Sequence, residues 1–231
     1  MCVENREVRR MVNILLCCTG SVATIKLPEL LEQLREVEGC EVKVKIVLTK
    51  HSRHFLPELS SLGVPGDTVL TDEDEWRCWE GRGDPVLHIE LRRWADLCLI
   101  APLSANTLAK LSHGLADNLL TSTLRAWDLT RPVLVAPAMN TFMWEHPVTS
   151  QQLSLLSQWG YTVIPPVVKT LGSSTSLLLL SLLNCVCFQC AVTRAMVLWL
   201  VLIQLFKLSD PHSIFSSSRF NIKFQILIDH V

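Results

Sequence analysis

The sequence predicts an α/β fold, a parallel β-sheet covered by helices over residues 12–171, followed by an apolar segment of different character at 172–231. Three observations carry this. Short apolar runs alternate with longer segments of helical period from Val12 to about Pro165, each run ends in small or polar residues, and the composition shifts after Leu171. Strands buried on both faces read as unbroken apolar runs, and parallel neighbours need a crossover between them.

The runs are Val12 to Cys18, Val42 to Leu48, Leu97 to Ala101, Val133 to Ala136 and Thr162 to Ile164. Between the first two, Ile25 to Glu36 places Leu27, Leu30, Leu31 and Leu34 on one helical face, which predicts a crossover helix and a second parallel strand. Leu56 to Gly83, with its Pro, Gly and acidic residues, reads as a surface excursion with little regular structure. After the small polar stretch Gly172 to Ser176, Leu177 to Phe206 is almost continuously apolar. That length suffices to cross a bilayer, but Arg194 opposes insertion at its centre.

A chain of 231 residues buries one sizeable core without help from metals or disulfides. The formal net charge is -1 with both signs interspersed, so neither nucleic acid nor an anionic membrane is the expected partner and a small molecule is. No apolar signal precedes the nine scattered cysteines, which fits a reducing cytoplasm. Cys185, Cys187 and Cys190 lack both a nearby histidine and paired CxxC spacing, so no metal site is expected there.

Ligands of open parallel sheets bind beyond the carboxyl ends of the strands, so the run ends should share one site. Thr19-Gly20-Ser21-Val22-Ala23 joins a strand to a helix through a glycine and a hydroxyl, which suits a phosphate and equally suits a simple N-cap at Ser21. Thr49 and Ser52 offer hydroxyls at the second tip, and Ser104-Ala105-Asn106-Thr107 opens a helix at the third. His88, in the approach to the third run, offers proton transfer near neutral pH. In Pro137-Ala138-Met139-Asn140, Asn140 can donate and accept at once, which suits a carboxylate or a ring carbonyl.

Gly20-Ser21-Val22-Ala23, Val86-Leu87-His88-Ile89, Ser104-Ala105-Asn106-Thr107, Ala116-Asp117-Asn118-Leu119-Leu120 and Pro137-Ala138-Met139-Asn140 together resemble the flavin-containing cysteine decarboxylases, and most closely the phosphopantothenoylcysteine decarboxylases among them. The resemblance implies a flavodoxin-like Rossmann fold, doubly wound, assembled as a homotrimer with FMN at a subunit interface. By motif, Gly20, Ser21, Val22, Thr49, Ser52, Ser104, Ala105, Asn106, Thr107 and Ala138 would contact FMN. His88 would be the catalytic histidine and Asn140 would bind the substrate carboxylate. The implied reaction converts 4'-phospho-N-pantothenoylcysteine towards 4'-phosphopantetheine in coenzyme A biosynthesis: the thiol is oxidised, carbon dioxide leaves, and the resulting enethiol is reduced.

The final reduction in that family uses a cysteine in a flap that follows a Lys-x-Leu segment. Here Lys169-Thr170-Leu171 is followed by Gly172-Ser173-Ser174, which sets Ser173 at the cysteine position, and a hydroxyl is a far weaker acid than a thiol. Completion of the cycle is therefore open, and the alternative is a non-catalytic FMN-binding regulatory subunit that mixes with intact homologues. The apolar tail reads as alternative or mistranslated 3' sequence rather than as a membrane anchor.

Overall fold

The computed structural model describes residues 10–37, 40–56, 58–65, 68–165, 167–171 and 175–179. The chain divides into two units, Met1–Asn184 and Cys185–Val231, and every described residue lies in the first.

The apolar runs become the strands of one sheet: β1 (Arg10–Cys18), β2 (Cys40–Leu48), β3 (Val69–Leu70), β4 (Leu97–Leu103), β5 (Val133–Pro137) and, beyond a two-residue β6 (Met139–Asn140), β7 (Thr162–Val163). The six-stranded sheet has the order β3-β2-β1-β4-β5-β7, and every pairing in it is parallel. With β3 set aside as an added edge, this is the doubly wound flavodoxin order, whose chain reverses direction across the sheet between β1 and β4. A crevice at the carboxyl ends of those two strands follows from that reversal.

Helices occupy the crossovers: α1 (Leu27–Arg35), α2 (Lys50–Arg53), α3 (Asp72–Arg77), α4 (Leu87–Trp94), α5 (Ala105–Ser112), α6 (Leu119–Arg125), α7 (Thr141–Glu145) and α8 (Pro147–Gln158). Alternation along β1 separates two cores. Leu15 and Cys17 enter a cluster with Leu91 of α4, Leu108 of α5, Leu119 and Leu124 of α6 and Leu156 of α8, while Ile14 and Leu16 are buried outside that cluster. As expected, α1 buries Leu27, Leu30, Leu31 and Leu34, and each such leucine contributes about 1.5 to 3 kcal/mol. The helix starts later than the periodicity suggests, because Val22–Lys26 forms a 3-10 turn and Pro28 sits in the first turn of α1.

Two features depart from the sequence reading. The excursion expected to be irregular contains β3 and α3. Its helix is nucleated by a capping box, in which the Asp74 carboxylate accepts from both the amide and the hydroxyl of Thr71, and by the acidic first turn Asp72 to Glu75. The second is an antiparallel hairpin, β8 (Val167–Leu171) and β9 (Thr175–Leu179), whose β9 also pairs with β6, setting Asn140 opposite Leu177. This strand lies past residue 171, where the sequence reading ends the domain. Ser173, the Cys185, Cys187 and Cys190 group and the tail after residue 179 lie outside the described residues. Among the described residues, no helix is long and apolar enough to cross a membrane.

Candidate functional site

The carboxyl edge of the sheet is closed by side chains that bond across the strands. Thr19, just past β1 and fully buried, donates its hydroxyl to the Pro102 carbonyl at 2.7 Å and accepts the Ser104 amide at 2.7 Å. Its own carbonyl accepts the Thr24 hydroxyl at 2.9 Å, which fixes the 3-10 turn to the tip of β1. Two tips separated by 85 residues of chain thus hold one geometry.

Ser21 ties in a third tip. It caps the 3-10 turn by accepting from the Ala23 amide, and its hydroxyl donates to the Ala138 carbonyl at 3.1 Å. Ala138 is itself anchored, its amide donating to the Leu103 carbonyl at 2.9 Å. The fourth tip comes from β2: Thr49 donates its amide and its hydroxyl to the Cys18 carbonyl, and caps α2 by accepting from the Ser52 amide. Gly20 stands against this last tip. A Cβ there would lie 2.6 Å from the His51 Cβ, so only glycine lets the two loops meet.

Each tip also starts a helix. The first amides of a helix have no partner within it, and the caps take one each: Ser104 accepts from Thr107, and Asn140 accepts from Met143 at 2.9 Å. The helix-opening amides of Val22, Ala105 and Asn106 face the edge with the positive ends of their helix dipoles. Of the ten residues expected at the cofactor, Gly20, Val22 and Asn106 are exposed, and Ser21 and Ala105 are half-buried. Thr49, Ser52, Ser104, Thr107 and Ala138 are buried in the walls. Ser52 is fully enclosed, with its hydroxyl donated to the Thr49 carbonyl at 2.8 Å.

His88 reaches the same edge by another route. A helix that feeds a parallel strand runs antiparallel to it, so the first turn of α4, just before β4, lies at the carboxyl end of the sheet. Its Nδ1 lies 2.5 Å from Glu75 Oε1 on α3. Among the described residues no hydrogen bond joins His88 to the four tips. Glu75 was missed in sequence, and Thr19 was read only as part of the first tip, without its bonds across the strands. The Thr71 to Asp74 capping box signals the helix that carries Glu75, whereas Thr19 has no local signal because its partners are distant.

Ala116-Asp117-Asn118 opens α6. Asn118 and Thr121 form a reciprocal cap, and Asp117 pairs with Lys110 of α5. Hydrogen bonding to that ammonium, followed by its charge, holds the Asp117 carboxyl below its usual range. Asp72 at the head of α3 accepts the Leu119 amide at 2.8 Å, and burial pushes its carboxyl up despite that bond.

A family model described as Flavoprotein matches residues 3–176. A mouse phosphopantothenoylcysteine decarboxylase is 54% identical over 168 residues, which cover 73% of this chain and 78% of the mouse chain. An Arabidopsis thaliana protein of the same name is 53% identical over 171 residues, 74% of this chain and 78% of its own. The chain belongs to the phosphopantothenoylcysteine decarboxylases of the flavoprotein family. Two solved structures agree with the fold. A cysteine-to-serine mutant of a phosphopantothenoylcysteine decarboxylase, complexed with pantothenoylaminoethenethiol, superposes with a TM-score of 0.69 at 46% identity, covering 81% of this chain and 97% of its own. The FMN binding protein AtHal3 gives 0.67 at 49% identity, covering 77% and 93%. The resemblance read from the five motifs therefore holds over residues 3–176, into the hairpin.

Proposed function

We propose that this chain binds FMN at the carboxyl edge of its sheet and decarboxylates 4'-phospho-N-pantothenoylcysteine towards 4'-phosphopantetheine in coenzyme A biosynthesis. The observation that carries the reading is the closure of the edge by Thr19, Ser21 and Thr49, which ties three helix starts and the Pro137-Ala138-Met139-Asn140 turn together along one edge of the sheet. The names of the mouse and Arabidopsis relatives support the reaction, and the FMN binding protein supports the cofactor. We take residues 12–171 as the catalytic unit and 172–231 as a separate apolar segment, the family match itself running to residue 176.

The donor set fits a flavin mononucleotide. Its phosphate is dianionic, and unpaired helix-opening amides beside a glycine that admits close backbone approach suit such a group. Gly20, Ser21, Val22, Thr49, Ser52, Ser104, Ala105, Asn106, Thr107 and Ala138 would hold it. When bound, FMN supplies two-electron oxidation of the substrate thiol and later return of the electron pair. His88 is the proton acceptor or positioner during the oxidation, which is chemistry an imidazole performs near neutral pH. Asn140 spends Oδ1 on the cap of α7, which leaves its Nδ2 amide to donate to the departing carboxylate.

Assembly as a homotrimer in the cytoplasm completes the proposal, with the cofactor at a subunit interface. It is supported by the family resemblance alone. Ser173 in place of the flap cysteine leads to release of carbon dioxide with the enethiol left unreduced, and a relative with serine for cysteine holds such an enethiol.

The test is absorption spectroscopy of purified protein followed by mass spectrometry after incubation with substrate. A flavin spectrum with carbon dioxide and enethiol is the expected result. A well-folded protein that takes up no added FMN ends the proposal. Bound FMN without carbon dioxide selects the regulatory alternative, which co-purification with an intact homologue then examines.

A further inference from the structure

We infer that Glu75 is a positioning residue for His88, fixing the imidazole tautomer that leaves Nε2 as the proton acceptor; this rests on the reading of His88 given above. The two side chains come from different helices, and their ring nitrogen and carboxylate oxygen are 2.5 Å apart. Both are mostly withdrawn from water, with side-chain exposures of 27% for His88 and 14% for Glu75. An ionised carboxylate only accepts hydrogen bonds, so the proton between them belongs to Nδ1 and the lone pair of the neutral ring is on Nε2. When Nε2 takes the proton of a substrate thiol, the Nδ1 proton stays in place and the carboxylate opposes the charge that develops on the ring.

Several of the charged groups around the pair are engaged elsewhere, whereas the Arg92 Nε on α4 is buried without a hydrogen-bond partner among the described residues. On α3, Asp72 accepts the Leu119 amide, and Asp74 is shared between Thr71 and Arg77. On α4, Glu90 pairs with Arg93. The start of α3 is itself locked, by its capping box and by Asp72 reaching α6, so Glu75 is presented from a braced helix despite its short length.

The experiment uses the full chain with 15N-labelled histidine, comparing it with Glu75→Gln and Glu75→Asp. Long-range 15N correlation spectra assign the ring tautomer without substrate or cofactor, and single-turnover bleaching of bound FMN reports the oxidative step. His88 in the unaltered protein should be protonated at Nδ1 only. In Glu75→Gln the amide can present either its oxygen or its NH2 group, so the tautomer should become mixed. Bleaching at saturating substrate should then fall by about tenfold or more, towards the ~10⁴ lost when a general-base histidine loses its orienting carboxylate, with FMN content and substrate half-saturation unchanged. Glu75→Asp keeps the charge and should recover part of the rate. An unmixed tautomer in Glu75→Gln, or an Nε2 proton in the unaltered protein, overturns the inference. So does a rate loss that comes only with loss of bound FMN. If the spectra show the expected tautomers while the unaltered protein binds no FMN, the positional tie stands and the decarboxylase reading fails instead.

Discussion

The hydroxyl of Thr19 and the amide of Ser104 meet at 2.7 Å across the point where the strand order reverses. Because the same hydroxyl donates to Pro102, one buried atom sets the spacing of the β1 and β4 tips. The crevice is therefore shaped from behind, by a residue whose hydroxyl is already occupied on both sides.

Replacing Thr19 by valine keeps the shape and removes both bonds. The Pro102 carbonyl retains the Thr19 amide, but the Ser104 amide is orphaned, at a cost of about 1 to 3 kcal/mol. Thr19→Ser keeps the hydroxyl and loses one methyl group, about 0.8 kcal/mol. Urea denaturation should rank valine as the more damaging change, and the reverse order would mean that packing, not the bond, sets the tip.

Gly20→Ala should weaken FMN retention and destabilise the protein by about 1 to 3 kcal/mol, the usual cost of forced overpacking. The atom it meets is the His51 Cβ, at 2.6 Å. His51→Ala keeps that carbon and should not relieve Gly20→Ala, whereas His51→Gly should restore flavin binding at a helix-propensity cost of about 1 kcal/mol. Equal rescue by both changes, read by flavin fluorescence, would discard steric contact as the reason for the glycine.

Asp117 offers a pH test at the start of α6. The Lys110 hydrogen bond and charge lower its folded pKa, so its contribution is present above the unfolded carboxylate value of about 3.9 and is lost as pH falls through the lower folded value. Lys110→Met should move the carboxyl 13C titration of Asp117 up towards the ordinary range. At neutral pH stability should change little, because 55% of the Asp117 side chain is exposed. A titration that stays in place would assign the shift to Thr121 and the local cap.

The strands were legible because a strand buried on both faces needs no periodicity to be seen: β4 and β5 are buried along their whole lengths. The geometry of the edge was legible where one residue carries its own local signal, as with the glycine at Gly20 and the helix caps at Ser21 and Asn140. It was not legible where the partner is remote. Thr19 acts through residues on β4 and α5, and Glu75 through a histidine on the next helix. The strand β3 has two residues and α3 six, both too short for a pattern to rise above the Pro, Gly and acid composition around them. The pairing of β6 with β9 joins segments remote in sequence, Asn140 opposite Leu177, which no local pattern announces.

Asn140 separates capping from substrate binding. Asn140→Asp retains an oxygen to accept the Met143 amide, and aspartate is as good a cap as asparagine. It replaces the donor amide by a negative charge facing the substrate carboxylate. The variant should fold and bind FMN normally yet lose carbon dioxide release by about a hundredfold or more, as expected when a charge-assisted hydrogen bond of roughly 3 kcal/mol is replaced by repulsion. Asn140→Ala should instead lose about 1 kcal/mol of stability. Undiminished release by Asn140→Asp would remove the carboxylate role.

Ser173→Cys tests whether the chain stops short of the final reduction. The substitution installs a thiol of ordinary pKa about 8.5, which can give up a proton on the catalytic timescale where an alkyl hydroxyl does not. If the proton donor is the missing part, Ser173→Cys should convert accumulated enethiol to the saturated thiol and return the flavin to its yellow oxidised form, with the rate of carbon dioxide release unchanged. Should the unaltered chain already yield saturated thiol at full rate, Ser173 is no block. If instead Ser173→Cys accumulates enethiol just as before, the block lies in the sequence beyond the flap, where the apolar segment from Leu177 replaces the family's glycine-rich clamp.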